Sequence, residues 1–294
     1  MEILWDQIAR NKWEALADRV RAPMAQRWSY GAAHVALGGQ VARAVLWQSG
    51  APVGLCQVLM RRSRFGLGLG LASNGPLWLA PCDQARALAL IRASLPLRRP
   101  RLRLVTPASP VASRRLLPLA RPVTTCRRAL PAQRESLHGK WRNGLKKAEQ
   151  SGLNLRHEQA RGTALQALLQ ADQQQQGARG YRALPARFTM AWQADAPKAL
   201  RLFSAAKGGE THASALVLHH GNTASYHIAH STAEGRQSGA ARLVLWHIFE
   251  EMARRGVVEL DLGRIDERNA PGLARFKLRS GAEPLRLGST ALMW

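Results

Sequence analysis

Acidic residues are scarce in this chain of 294 residues: 19 aspartates and glutamates stand against 43 lysines and arginines, a formal charge of +24. A field so one-sided attracts polyanions, so RNA, nucleotide phosphates, anionic lipid and phosphorylated substrates are the partners it admits. An arginine-rich proteome, in which arginine replaces lysine and adds solubility, gives the same excess with no partner at all. Cysteine is scarcer still. Cys56, Cys82 and Cys126 lie far apart and never in CxxC spacing, which argues against a disulfide framework and a zinc site and leaves buried thiols. No metal site and no permanently bound cofactor are expected. No apolar run approaches the roughly 18 residues a spanning helix needs. The opening MEILWDQIARNKWEAL is amphipathic with acids in it, unlike a signal or transit peptide. A cytoplasmic location is therefore expected.

What remains is a folded composition, 46% hydrophobic and 21% charged, on a length that suits one large or two medium domains. Leu4, Ile8, Leu16 and Val20 predict a helix over 3–20, ended before Pro23. A second short helix runs to Leu37 and closes on Gly38-Gly39. Val41–Gln48 and Val53–Arg61 read as a hairpin about Ser49-Gly50-Ala51. Phe65–Leu71 alternates glycine with apolar residues, a strand whose bare face lets another backbone or a ligand approach. Asp83 caps a helix over Gln84–Ser94, and Leu102–Val105 is a strand.

The excess charge is concentrated. Residues 98–148 hold fourteen basic side chains against Glu135 alone, thirteen of the 24 net charges. The same segment is rich in proline, and the crossing between two domains is placed near 120–132. The domains are then 1–125 and 126–294. His138–Ser151 follows as a basic helix: Trp141, Leu145 and Ala148 form its apolar seam, while Lys140, Arg142, Asn143, Lys146 and Lys147 cover the rest. Beyond it come a strand over Leu153–Glu158, a helix over Ala164–Gln176, a flexible loop at Gly177–Tyr181 and a helix opened by Pro185. Three strands follow, Leu200–Ala206, Ser214–His219 and Thr223–Ser231.

The stretch Thr223–Leu262 carries most information. A strand leads into Arg236-Gln-Ser-Gly239-Ala240-Ala241. Then Ala241, Leu245, Ile248 and Met252 mark one face of a helix that Gly256 stops. Val257–Leu262 is apolar enough to be central in a sheet. The first amides of a helix have no intrahelical partner, and small residues there admit a pyrophosphate or carboxylate. Pro271–Arg279 is a last helix, followed by short strands at 285–287 and 290–293.

Arg-x-x-Gly-x-Ala at a strand-to-helix turn resembles the phosphate loop of the GNAT acyltransferase superfamily. The basic helix 140–153, Tyr226-His-Ile-Ala-His-Ser231, the 236–246 loop and helix, Asp261-Leu-Gly-Arg-Ile-Asp266 and Gly272-Leu-Ala-Arg-Phe276-Lys277 together resemble the Fem-type transferases, the peptidoglycan-bridge aminoacyltransferases. The likeness covers about residues 135–290. It implies an α/β (α+β) chain of two tandem GNAT-like domains, each a mixed, mainly antiparallel sheet flanked by helices. It implies transfer of an acyl group, usually aminoacyl from a charged tRNA, to an amine. Lys277 would then stabilise the oxyanion or the leaving ribose oxygen, and Phe276 would pack the acyl group or ribose. Arg236, with Gly239, Ala240 and Ala241, would hold donor phosphates. Lys140, Arg142, Asn143, Lys146, Tyr226, Ser231 and Asp261 would bind substrate. The long helical arm of some Fem proteins has no room here, and the loop also suits acyl-coenzyme A.

Such chemistry needs positioning, a proton acceptor and oxyanion donors. Asp261, His227 and His230 are the possible bases, each of a type that also serves structure. Three functions stay open: an aminoacyl-tRNA-dependent transferase with an amine acceptor such as a cell-envelope precursor or peptide, an acyl-coenzyme A N-acyltransferase, and a non-catalytic binder of RNA or an anionic membrane surface.

Overall fold

The computed structural model describes residues 1–111 and 113–294. The chain forms two compact units, Met1–Thr124 with Arg286–Trp294, and Thr125–Leu285. The first begins with strand β1 (Glu2–Trp5), then helices α1 (Arg10–Arg19) and α2 (Trp28–Ala36). The single helix expected over 3–20 is thus a strand followed by a helix. Glu2–Trp5 pairs antiparallel with Ala44–Trp47, and Asp6, at φ 55°, turns the chain out of it. EILW is short enough to satisfy either period, so a partner in the sheet decides.

Strands β2 (Gln40–Gln48) and β3 (Ala51–Arg62) form the expected hairpin. Ser49 and Gly50 both adopt positive φ, the backbone that two-residue hairpin turns require. β4 (Gly68–Ser73), β5 (Leu77–Trp78), α3 (Gln84–Ser94), β6 (Arg101–Thr106) and β7 (Leu116–Pro118) follow. Asp83 caps α3 by accepting the Arg86 N–H at 3.0 Å. The bare face of β4 is filled chiefly by leucine side chains: a Cβ on Gly68 would stand 2.9 Å from the Leu97 side chain and 3.1 Å from the Arg98 carbonyl, and one on Gly70 3.1 Å from the Leu95 side chain.

The second unit runs β8 (Thr124–Ala129), α4 (Gly139–Glu149), β9 (Asn154–Gln159), α5 (Gly162–Arg179), α6 (Ala186–Asp195), β10 (Leu200–Lys207), β11 (Glu210–His220) and β12 (Thr223–Ser231). Then come α7 (Ala233–Ser238), α8 (Ala240–Arg254), β13 (Glu259–Ile265), α9 (Pro271–Arg279) and β14 (Glu283–Arg286), and the chain ends with β15 (Ala291–Met293). The expected loop at Gly177–Tyr181 is helical through Arg179. Gln175 donates to the Tyr181 hydroxyl at 2.9 Å and Gln176 accepts the Ala183 N–H at 3.1 Å, so the polar run ties the following segment to α5.

The first sheet has the order β1-β2-β3-β4-β6-β15-β7, with β5 beside β3, and the second β14-β8-β13-β12-β11-β10-β9. Residues 286–294, read in the sequence as part of the second domain, return to the first unit, where β15 pairs with β6 and β7. A three-residue strand carries no signal of which sheet it joins. In the second unit the strand alternation separates two layers. Ala213, Ala215 and Val217 of β11 join Leu245, Ile248 and Met252 of α8 in one core. Leu216 and Leu218, also buried, face the other side of the sheet.

Candidate functional site

The neighbours β12 and β13 run parallel but hold together only at Thr223↔Glu259, Ala224↔Leu260 and Ser225↔Asp261. Beyond that point they part. The pairing of β12 with β11 shifts at the same place, Val217↔Tyr226 being followed by Leu216↔Ile228, so His227 is an extra, bulged residue. A bulge bends its strand and sharpens the local twist. The result is an open fork whose vertex carries Ser225 and Asp261.

Two candidate residues, Asp261 and Lys277, converge beside the fork with Cys126. The Asp261 carboxylate accepts the Gly263 N–H at 2.7 Å. Burial pushes its pKa up, against the pull of that hydrogen bond, Arg127 and Lys277. Lys277, on α9, is only 7% exposed, and its ammonium donates to the Arg264 carbonyl at 2.9 Å. Burial draws its pKa down, opposed by Cys126 and Asp261. Cys126 reaches toward the Gly263 carbonyl at 3.7 Å, and burial pushes its thiol up to about 11. The sequence offered Cys126 only as a buried thiol, so its place in this cluster was missed.

Phe276 is held from the other side. The Trp141 indole donates to the Phe276 carbonyl at 3.1 Å, and the two rings lie 6.1 Å apart. The apolar seam of α4 therefore fixes the start of the Phe276-Lys277 pair. Tyr226, at the point of parting, packs against the core, and burial pushes its phenol above the usual range. His227 turns away: its Nε2 meets the Thr189 hydroxyl of α6 at 2.9 Å, and burial lowers its pKa to about 4. That contact is structural.

The phosphate loop expected from Arg236 to Ala241 has another form. Residues 233–238 are the helix α7, capped by the Thr232 hydroxyl, which accepts the Gly235 N–H at 3.0 Å. Helix formation commits most amides of the segment internally. Six residues, AEGRQS, are too few to show a helical period, which is why the sequence read as a loop. Arg236 donates to the Ser231 carbonyl at 2.8 Å, and the Ser231 hydroxyl donates to the His212 carbonyl at 3.3 Å. Gly239, at φ 76°, joins α7 to α8 and provides no side-chain cap, so Ala240 and Ala241 lead α8 with their N–H groups.

α4 crosses this start of α8. A Cβ on Gly144 would stand 3.0 Å from the Arg242 guanidinium, and one on Gly239 3.3 Å from the Ala148 methyl. Arg242 was not singled out in the sequence; its Nε is buried without a hydrogen-bond partner. Trp141, Leu145 and Ala148 are buried as their spacing predicts, and Lys140, Arg142, Asn143 and Lys146 are exposed. Lys140 and Lys147 lie one turn either side of Gly144, on the same face of α4.

Residues 135–278 match the sequence profile of the acetyltransferase (GNAT) domain. No curated protein matches the chain. Among solved structures, that of FemX is similar at TM-score 0.76 and 12% identity, over 98% of this chain and 96% of that one. A tandem GNAT protein from the clavulanic acid biosynthesis pathway is similar at 0.52 and 14% identity, over 99% and 97%. The C-terminal domain of a putative lysylphosphatidylglycerol synthetase from Agrobacterium fabrum is similar at 0.53 and 14%, over 97% and 93%. At these identities the structural likeness is one of fold. Through the acetyltransferase (GNAT) domain at 135–278 the chain is an acyltransferase, and its fold over the whole length is that of tandem GNAT proteins. The fold it shares with FemX runs over nearly the whole of both chains.

Proposed function

We propose that the chain transfers an aminoacyl group from aminoacyl-tRNA to an amine acceptor, such as a peptidoglycan precursor or a peptide. The observation that carries this reading is Lys277, a buried ammonium beside Asp261 at an open strand fork. The acceptor amine attacks the ester carbonyl. A C–N bond forms, the C–O bond to the ribose breaks, the amine loses a proton and the ribose oxygen gains one. Lys277 stabilises the oxyanion or the departing oxygen, where a preorganised cation acts most strongly because it needs no reorganisation. Asp261, its pKa raised, is the carboxylate nearest this work and the proton acceptor of choice. Phe276 packs the acyl group or ribose. Tyr226 and Ser231 line the approach along β12.

The donor reading rests on the second cluster. Lys140, Lys147 and Arg242 gather cations where α4 crosses α8, and Arg142, Asn143 and Lys146 add exposed polar groups elsewhere on α4. A long polyanion engages such a surface at many points. A coenzyme A pyrophosphate needs a compact cradle of free amides, and α7 has taken up most of that segment. The amides of Ala240 and Ala241 at Gly239 are what keeps the acyl-coenzyme A reading as the second one. A purely binding role for RNA or an anionic surface leaves a buried lysine beside a carboxylate unexplained.

The test supplies charged tRNA and acetyl-coenzyme A in parallel, each with a peptide amine acceptor, to the protein and to Lys277→Met. Transfer from charged tRNA, falling by about a hundredfold in the variant with tRNA retention unchanged, is the expected result. Transfer from acetyl-coenzyme A alone would overturn the donor assignment. Full activity in Lys277→Met would overturn the role of the lysine.

A further inference from the structure

The first unit has a surface that the acyl-transfer chemistry does not use. Cα partners in a sheet share a face, so the register gives its composition directly. One row reads Leu59, Leu71, Leu104, Leu292 and Leu117 across five adjacent strands. The row beside it reads Arg61, Leu69 and Leu102. On β3 the same face carries Leu55, which is buried with Val45 and Trp13 of α1. Farther along the rows that cover ends: Leu69, Leu102 and Leu117 are 37%, 40% and 52% exposed. Trp294, 63% exposed, donates its N–H to the Arg115 carbonyl and so continues the second row.

At the end of these rows the β3–β4 turn carries Phe65, 81% exposed, with the Arg64 guanidinium 4.6 Å from its ring centre. Arg61 and Arg62 precede it in the chain. None of Arg61, Arg62, Arg64 or Arg115 has a carboxylate partner among the described residues. Asp83 is the one acid between Asp18 and Glu135. Exposed leucines with a leading phenylalanine and tryptophan, ringed by unopposed arginines, match one kind of partner. We propose that this face and hairpin tip dock the protein on an anionic lipid bilayer, Phe65 entering the acyl boundary and the arginines meeting phosphate headgroups. RNA would use the arginines and stack on Phe65 but would leave the leucine rows in water. The inference stands whichever acyl donor is used.

The experiment is co-sedimentation with phosphatidylcholine vesicles and with phosphatidylcholine–phosphatidylglycerol vesicles. The variants are Phe65→Ser, the double Arg61→Gln/Arg64→Gln, and a control double of equal charge loss in the second unit, Arg179→Gln/Arg187→Gln. All sit at exposed positions, and circular dichroism melts check that they fold. The protein is expected on anionic vesicles and not on neutral ones. Each arginine lost at the interface weakens binding about fivefold, so the hairpin double falls about 25-fold, while the control changes little. Phe65→Ser falls about tenfold. Equal losses in both doubles, or no loss in Phe65→Ser, would overturn the proposal. So would absence of vesicle binding with hairpin-dependent tRNA retention, which makes the face an RNA surface. A Leu102→Arg-sensitive dimer without vesicle binding would equally make it a contact between copies of the chain.

Discussion

Lowering the pH should destabilise the second unit through one residue, His227. It is the bulged residue of β12, tied to the Thr189 hydroxyl beneath α6, and burial takes its pKa from the ordinary 6.5 to about 4. Above pH 6.5 the imidazole is neutral in both folded and unfolded chains and nothing is lost. Between 6.5 and 4 the unfolded chain binds a proton that the folded chain refuses, so stability falls as pH falls. At about 1.4 kcal/mol for each tenfold change, the penalty is about 2 kcal/mol at pH 5 and about 3 kcal/mol once both states are protonated, below pH 4. Asp261 works the opposite way. Its pKa is raised on folding, so it favours the folded state as pH falls toward the carboxylate range. The wild-type slope alone is thus a mixture. His227→Gln isolates the histidine, because an amide can still meet Thr189 while nothing titrates. Urea melts of both proteins at pH 7, 6 and 5 should give curves whose difference narrows by about 2 kcal/mol over that range. Parallel curves would refute the claim that His227 is held neutral in the fold.

Lys277→Met should lower transfer by about a hundredfold yet leave the melting temperature unchanged or raised, since it removes a buried charge whose solvation the fold replaces with one carbonyl, while Asp261 keeps its hydrogen bond from Gly263; a melt on the protein used for the activity assay checks this. Trp141→Phe removes the hydrogen bond to the Phe276 carbonyl and should lower stability by about 1 kcal/mol. Because it loosens the pair at the fork, steady-state kinetics should show a larger fall in kcat than change in KM. Gly235→Ala places a Cβ on the His212 carbonyl, a backbone group that cannot swing aside. A loss of at least about 2 kcal/mol in denaturant melts is expected.

Where the chain was legible, one periodicity ran long enough to decide. Ala241, Leu245, Ile248 and Met252 give α8, and Trp141, Leu145 and Ala148 give the buried seam of α4. Short elements escaped for the same reason. EILW serves a strand as well as a helix, AEGRQS shows no face, and β15 joins its sheet from the far end of the sequence, a pairing no local pattern records. The site divides the same way. Asp261 and Lys277 were named from motifs, but their proximity was not in the sequence, and neither was the burial of Lys277. In RFKLR a lysine reads as a surface residue. It is buried because α9 lays it against the bend that Gly263 puts into β13, where a Cβ would come 3.8 Å from the ammonium. Arg242 was passed over because its use depends on a gap in another helix, the missing side chain of Gly144.

The two units also differ where chemistry would be placed. Each sheet contains a parallel pair of neighbouring strands with a helix between them in the chain. In the first, β4 and β6 stay in register over all six residues from Gly68↔Arg101 to Ser73↔Thr106, and the intervening helix starts at an Asp83 carboxylate. A closed pair has no free edge for an acyl chain, and a capping carboxylate repels phosphate where the helix dipole would attract it. In the second, pairing ends after three residues, and the intervening α8 starts at a glycine with no side chain to occupy its amides. An open fork and a helix start without a side-chain cap thus distinguish the parallel pair of the second unit from that of the first, whose own distinguishing surface is the sheet face and hairpin of exposed leucines and arginines.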